Sequence, residues 1–479
     1  MRLETLRLQN FRGYVDRKFD LHPQFNLVIG ENGVGKTSFL EAAAVAIGSW
    51  LLGFRGHDTR NIWDRDVRHV LEFVEKRYRQ LPQYPVRVQA TGYVHIARAS
   101  RVGDGGDIAY DPAASADKPN PRSQHVSWER SVEAEGGKTT RRGANELKMY
   151  AEAMASAVLK QDPRVLPLIR YFGAGRLWES VRDTQGKALS KHKGMQPAEL
   201  ADDADEIEIA MRDFDRLSEP FYGYRMSVDK RCNPDDLIRW MGVERHNELD
   251  EDDSSPALRL VYRAIETMLP EIASARYSTK LRTLVLKYTS GERHTFSELS
   301  DGYRNVVAIA ADLAIKAAML NPQLAEKALE MTPGVVLIDE LDLHLHPKWQ
   351  RRIIADLRRT FPLLQFICTT HSPFLIQSLR SGEELIVLDG QPTANLNHMP
   401  LEEIARGLMG VTNTEVSQEY EIMKQVARHY LETLEEAAMA PSEKQEAFQL
   451  KLAEAISPYA HNPAYQAFLE MKRVAKLGE

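Results

Sequence analysis

Cysteine is nearly missing from this chain: Cys232 and Cys368 are the only two in 479 residues. Two thiols cannot build a disulfide framework for a protein of this size, and their spacing suits no metal site. An uninterrupted apolar run of about 18 residues, the length a membrane-spanning helix needs, is missing as well. The opening residues MRLETLRLQNF alternate apolar and polar side chains. That suits a half-buried strand and not the apolar core of an export signal. These absences lead to an expected cytoplasmic location with no membrane partner. A general excess of basic charge is lacking too, with 62 Lys and Arg against 68 Asp and Glu and a net charge of −6. This removes a whole-molecule field for DNA or RNA but leaves room for a local basic groove. No internal repeat and no low-complexity tract is found.

What is present is an ordinary globular composition, 43% hydrophobic and 27% charged, and enough length for two to three units at roughly 150 residues each. The apolar run Phe25 to Ile29 ends at a glycine, and Thr37 through Trp50 carries apolar residues at helical spacing. The order is therefore strand, glycine loop, helix. Strands are expected at Val86–Ala97, Val126–Val132 and Val165–Phe172, an exposed loop from Gly103 to Ser123, and a helix from Glu146 to Leu159. From Gln185 to Arg276 helical periods are broken by polar segments, including the acidic run Glu248 to Asp253, read as a solvated loop. Then come a strand near Leu281–Tyr288, a long helix from Asp301 to Leu320, strand Val335–Ile338, a helix from Lys348, and strands Leu364–Thr369 and Glu384–Leu388. Strands alternating with helices imply an α/β fold with a largely parallel sheet covered on both faces. The expected domains are an N-terminal lobe, 1–184; a helical insertion, 185–276; a C-terminal lobe, 277–400; and a helical tail, 401–479, suited to docking a partner.

Four motifs carry chemistry. Gly30-Glu31-Asn32-Gly33-Val34-Gly35-Lys36-Thr37 fits a phosphate-binding loop between a buried strand and a helix start. Glycines let backbone N–H groups wrap an anion, and Asn32, Gly33, Val34, Gly35, Lys36, Thr37 and Ser38 are the candidate nucleotide-binding residues. Lys36 reaches outer phosphates and Thr37 holds Mg²⁺. The strand Val335–Ile338 ends in two acids: Asp339 as a second metal ligand and Glu340 to polarise an attacking water. His371 follows strand Leu364–Cys368 and should share the same sheet edge, where an imidazole can donate to a γ-phosphate. Leu299-Ser300-Asp301-Gly302-Tyr303 precedes the long helix, with Ser300 as N-cap.

Together these resemble the ABC ATPase set, with the signature loop reading LSDGY, so that Asp301 stands where a glycine is usual. The long stretch between Lys36 and Ser300 and the start Leu8-Gln9-Asn10-Phe11-Arg12-Gly13 are similar to the SMC, RecF and OLD group; by that resemblance Arg12 approaches the phosphates. The expected fold is an ABC-type ATPase head with a mixed, largely parallel sheet, a helical insertion and a helical C-terminal tail. FSELSDGYR (296–304), LIDELDLHLHP (337–347), FICTTHSP (366–373) and LPLIRYFGAGR (166–176) resemble the AAA-type ATPases of Septu and retron-associated antiphage defence. The last of these stands where transporter ATPases carry a glutamine loop. His344 and His346 sit with Asp342 in a loop read as linking two sites, and Arg351, Arg352, Arg358 and Arg359 as a solvated helix face.

The resemblance implies ATP and Mg²⁺ as cofactors and a head-to-tail dimer, or a higher oligomer, in which Ser300, Asp301 and Gly302 of one copy complete the site of another. It also implies an ATP-hydrolysing switch that controls a separate effector such as an HNH nuclease, with DNA or RNA as a further partner class. The alternative from a different class is a RecF- or SMC-like ATPase of DNA repair or DNA ends. A transporter subunit fits poorly, since the insertion is too long.

Overall fold

The computed structural model describes residues 1–74, 77–95, 101–102, 107–108, 123–177, 220–250, 254–389 and 404. Two units are separated, Met1–Ile404 and Ala405–Glu479, and all described residues belong to the first. The tail expected from 401, apart from residue 404, residues 178–184 of the N-terminal lobe, residues 185–219 and 251–253 of the insertion, and most of the 103–123 loop lie outside the described residues.

In chain order the elements are β1 (Arg2–Phe11), β2 (Tyr14–Asp20), β3 (Phe25–Ile29), α1 (Lys36–Gly48), β4 (Arg68–Val74), β5 (Arg77–Gln83), β6 (Val86–His95), β7 (Ser123–Val132), α2 (Asn145–Leu159) and β8 (Leu168–Phe172). There follow α3 (Pro234–Asp250), α4 (Pro256–Met268), β9 (Ile272–Ser278), β10 (Thr283–Tyr288), β11 (Arg293–Thr295), α5 (Asp301–Leu320), β12 (Gly334–Ile338), α6 (Ile353–Thr360), β13 (Leu364–Thr369) and β14 (Leu385–Val387).

One sheet, in the order β8-β12-β13-β3-β14, is parallel at every pairing, and another, β2-β1-β6-β7, is antiparallel throughout. Parallel and antiparallel strands are thus sorted into separate sheets instead of sharing a mixed one. Every residue of β3, β8, β12, β13 and β14 is buried, as expected where helices cover both faces. β1 and β6 alternate instead; Leu6 and Leu8 point to the core while Arg7 and Gln9 lie on the other face.

The register aligns the carboxyl ends of four parallel strands. Phe172 pairs with Ile338, Ile338 with Cys368, and Thr369 with Val28. Hence Gly173, Asp339, Thr370 and Gly30 all leave the sheet at one edge, although they come from opposite halves of the sequence. The seam between those halves is tight: a Cβ on Gly334 would sit 2.0 Å from the Leu168 carbonyl oxygen.

The expected insertion is helical only in part. Its described portion begins with a turn around Tyr222–Tyr224, continues through α3 and α4, and gives way to strand at Ile272, inside the span expected to be helical. Glu248 of the acidic run is not a solvated group: it is folded into α3, accepting from Arg245 and from the Ser255 N–H. α5 carries buried residues on every side, the mark of a central helix. Two of them staple the insertion's turn. Asp312 pairs with Arg170 of β8, whose guanidinium also donates to the carbonyls of Met226, Asp229 and Arg231. Lys316 donates to the carbonyls of Gly223 and Arg225.

Burial lowers the pKa of Lys316 to about 8. Between pH 8 and the ordinary lysine range the unfolded chain therefore holds a proton that the native chain has shed. Stability gains from this group as pH rises through that window, by up to about 1.4 kcal/mol per unit. Urea denaturation at pH 8 and pH 10 is expected to give a steeper rise for the native sequence than for Lys316→Met. Equal slopes would show that Lys316 does not titrate there.

Candidate nucleotide site

The loop after β3 turns at Gly33 and Gly35, whose φ of 88° and 111° lie in the left-handed region that favours glycine. Lys36 opens α1 and is buried; its Nζ folds back to donate to the carbonyls of Gly30 (2.7 Å) and Glu31 (2.9 Å). Burial lowers its pKa, and the carboxylates of Asp389, Asp339, Glu340 and Asp342 act in the opposite direction.

Asp339 is the organising acid. Its oxygens accept from Thr369 Oγ1 (2.6 Å) and Thr37 Oγ1 (3.1 Å), and its N–H donates to the Phe172 carbonyl. Thr37 and Asp339 offer a hydroxyl and a carboxylate side by side, the hard oxygen donors that Mg²⁺ prefers. With Lys36 beside them the donor set fits a metal-bound polyphosphate. Glu340 stands at φ 50°, unusual for a side-chain-bearing residue, and its N–H donates to Thr369 Oγ1 (2.8 Å). His371 is exposed at the end of β13, one residue beyond Thr370, whose Oγ1 donates to Asp342 (2.6 Å).

Ser300 occupies the N-cap position of α5 with extended backbone, is exposed, and makes no side-chain cap bond to its own helix. The N-cap position is the one expected from the sequence, and the hydroxyl is left uncommitted to α5. Asp301 lies in the first turn of α5, 3.6 Å from Arg304. Gly302 is buried; a Cβ there would come 2.5 Å from the His344 carbonyl oxygen. The glycine therefore seats α5 on the loop after the acid pair.

The family is decided by sequence. The AAA-domain family matches residues 5–266, and a second AAA-domain family, one linked to the AbiEii toxin of type IV toxin–antitoxin systems, matches 239–377. The chain belongs to the AAA-domain family of ATPases. Among its relatives, the "Retron Ec83 probable ATPase" of Escherichia coli is 25% identical over 82% of this chain and 72% of its own length. The "Retron Vc95 probable ATPase" of Vibrio cholerae is 31% identical over 38% of this chain and 36% of its own. The Septu protein PtuA of Bacillus mycoides is 40% identical over 20% of this chain and 12% of its own. This chain thus spans from about an eighth to under three quarters of the relatives' lengths.

In this AAA-domain chain, the glycine loop after β3 and the acid pair after β12 lie at one edge of a parallel α/β sheet. Arg12 is neither loose on the surface nor free in the site. Its guanidinium donates to Asp66 (2.7 Å) and lies 3.9 Å from Glu41, inside a cluster that Arg60 and Lys230 complete. Three cations meet two carboxylates there, on the second turn of α1. The four arginines after the acid pair do not form a solvated stripe. Arg358 is buried against Glu384, Arg352 pairs with Glu271, Arg359 with Asp356, and Arg351 lies over Phe374. His346 caps the next helical turn by accepting the Lys348 N–H, and among the described residues no group of three metal-ligating side chains occurs. No described helix is long and apolar enough to cross a membrane.

Sequence reasoning took Arg176 only as the end of the 166–176 motif and assigned no role to Thr369, Asp389 or Asn305. Asp389 accepts the Glu31 N–H at 2.7 Å across 358 residues of sequence, a contact with no local signal. Thr369 sits within the motif that singled out His371, and strand register alone would have found it.

Gly302→Ala is expected to destabilise the fold by about 1–3 kcal/mol through the clash with His344, measured by urea denaturation. A neutral result would mean that α5 can lift off the loop freely.

Proposed function

We propose that this chain binds ATP with Mg²⁺ and hydrolyses it in a site shared between two copies, and that it serves as a nucleotide-driven switch for a separate effector, a nuclease, in antiphage defence. The observation that carries the proposal is the meeting of Thr37 and Asp339 at the carboxyl edge of the parallel sheet, 302 residues apart in sequence. Lys36, Thr37 and the loop from Asn32 to Ser38 hold the phosphates. Thr37 and Asp339 hold Mg²⁺, which when bound neutralises phosphate charge and polarises the γ-phosphoryl group. Glu340 orients water, and His371 donates to the γ-phosphate. Ser300 and Gly302 of a second copy close the site from the other side, with Asp301 beside them. ATP then acts as ligand and glue, and loss of the γ-phosphate releases the pair. The retron and Septu relatives support the setting in defence and the search for an effector outside this chain.

Sharing has a direct test. Lys36→Ala and Ser300→Arg are each expected to abolish steady-state hydrolysis, whereas an equimolar mixture regains one intact site per mixed dimer. Recovery to a measurable fraction of the native rate supports the shared site, and a mixture as dead as its components refutes it. Glu340→Gln is expected to bind ATP with at most a threefold change in affinity, to lower turnover at least a hundredfold, and to lock an ATP-dependent dimer visible by light scattering. Near-native turnover would remove Glu340 from its role. The effector reading fails if the chain alone cuts DNA.

A further inference from the structure

The geometry points to Arg176 as a positioning residue that ties the acid pair of its own subunit to the signature helix α5. It thereby passes the nucleotide state of one site to the other. This rests on the two-copy reading above and deepens it.

Arg176 is 2% exposed. Its Nε donates to Asn305 Oδ1 (2.6 Å), Nη1 to the carbonyls of Gly173 (2.9 Å) and Asp339 (2.8 Å), and Nη2 to the carbonyl of Glu340 (3.2 Å). All four acceptors are neutral oxygens, so a buried cation is being used for its fan of donors and not for an ion pair. Burial lowers its pKa only to about 10, which leaves it charged near neutrality. Only a planar guanidinium can span such a set; a lysine ammonium is a point donor.

Each end of this bridge bears on a different half of the chemistry. Asp339 turns its carboxylate to Thr37 and its carbonyl to Arg176. A metal held by that carboxylate would bear on the 339–340 segment, both of whose carbonyls are held by Arg176. Glu340, at φ 50°, is in a sparsely populated backbone state that only its surroundings hold in place. At the far end, Asn305 lies one turn beyond Gly302 on α5, and its Nδ2 donates to the Leu343 carbonyl (3.2 Å). Ser300, which faces the second copy, heads the same helix. The path from Thr37 through Asp339, Arg176 and Asn305 to Ser300 is therefore unbroken. The turn carrying Arg176 is itself fixed by the returning insertion: the Cys232 N–H donates to the Arg176 carbonyl and the Gly173 N–H to the Lys230 carbonyl.

The test uses the full chain with Arg176→Lys, Asn305→Ala and the double variant. Three quantities are read: binding of a fluorescent ATP analogue, ATP-dependent dimerisation, and hydrolysis against ATP concentration. The native chain should hydrolyse with a Hill coefficient near 2. Each variant should bind nucleotide within about threefold of native, yet lose tenfold or more in turnover and fall to a Hill coefficient near 1, with the double variant no worse than Arg176→Lys. Variants that melt earlier but keep native cooperativity and turnover would overturn the inference and leave the shared site standing. A native chain that never dimerises with ATP would overturn the shared site and the inference together. If Arg176→Lys does not fold, Asn305→Ala, which leaves Arg176 its three carbonyls, decides alone.

Discussion

The carboxylate of Asp339 is where the fold and its chemistry meet. It receives hydrogen bonds from Thr369 at the end of β13 and from Thr37 at the start of α1, while its own N–H is held by Phe172 at the end of β8. Three segments converge on one residue only because the parallel strands run in matched register. Shifting any of them by one residue would turn its buried side chains to the opposite face and carry its loop away from the edge. Packing of the sheet and placement of the polar groups are thus one constraint.

Charge explains why this edge is a site and not merely a junction. Lys36 is folded onto its own loop's carbonyls while four carboxylates bear on it. Such an arrangement is short of positive charge, which is the electrostatic ground for the Mg²⁺ proposed between Thr37 and Asp339. The second cluster, around Glu41, has the opposite imbalance, with Arg12, Arg60 and Lys230 against Glu41 and Asp66. Helix α1 therefore runs from an acid-rich edge toward a cation-rich one within two turns.

The parts of this arrangement that could be read from sequence are those encoded locally. The alternation in MRLETLRLQNF, the apolar runs before Gly30 and Asp339, and the long pattern from Asp301 to Leu320 all mark elements that the structure contains, α5 to the residue. Lys36, Thr37, Asp339 and Glu340 stand out because glycine turns and acids after core strands are rare in combination. What stayed hidden was set by tertiary contact. Arg170 and Arg176 look alike in the sequence, yet one staples the insertion and the other grips the acid-pair backbone. Arg358 seemed part of a solvated face until its burial against Glu384 gave it a structural partner. The β4–β5 hairpin went unread because its strands present few buried positions to set a period.

The neighbours of β3 in the sheet are β13 and β14, so that Asn26 bonds the carbonyl of a residue 340 positions later. A ribosome adding about 5–20 residues per second leaves roughly 20 to 70 seconds between the two. Throughout that interval the strand leading to the phosphate loop has both edges unpaired and an apolar sequence to hide. The glycine loop after β3 is thus written long before the strands that anchor it, which makes the growing chain, more than the finished protein, the form in need of protection against misassembly.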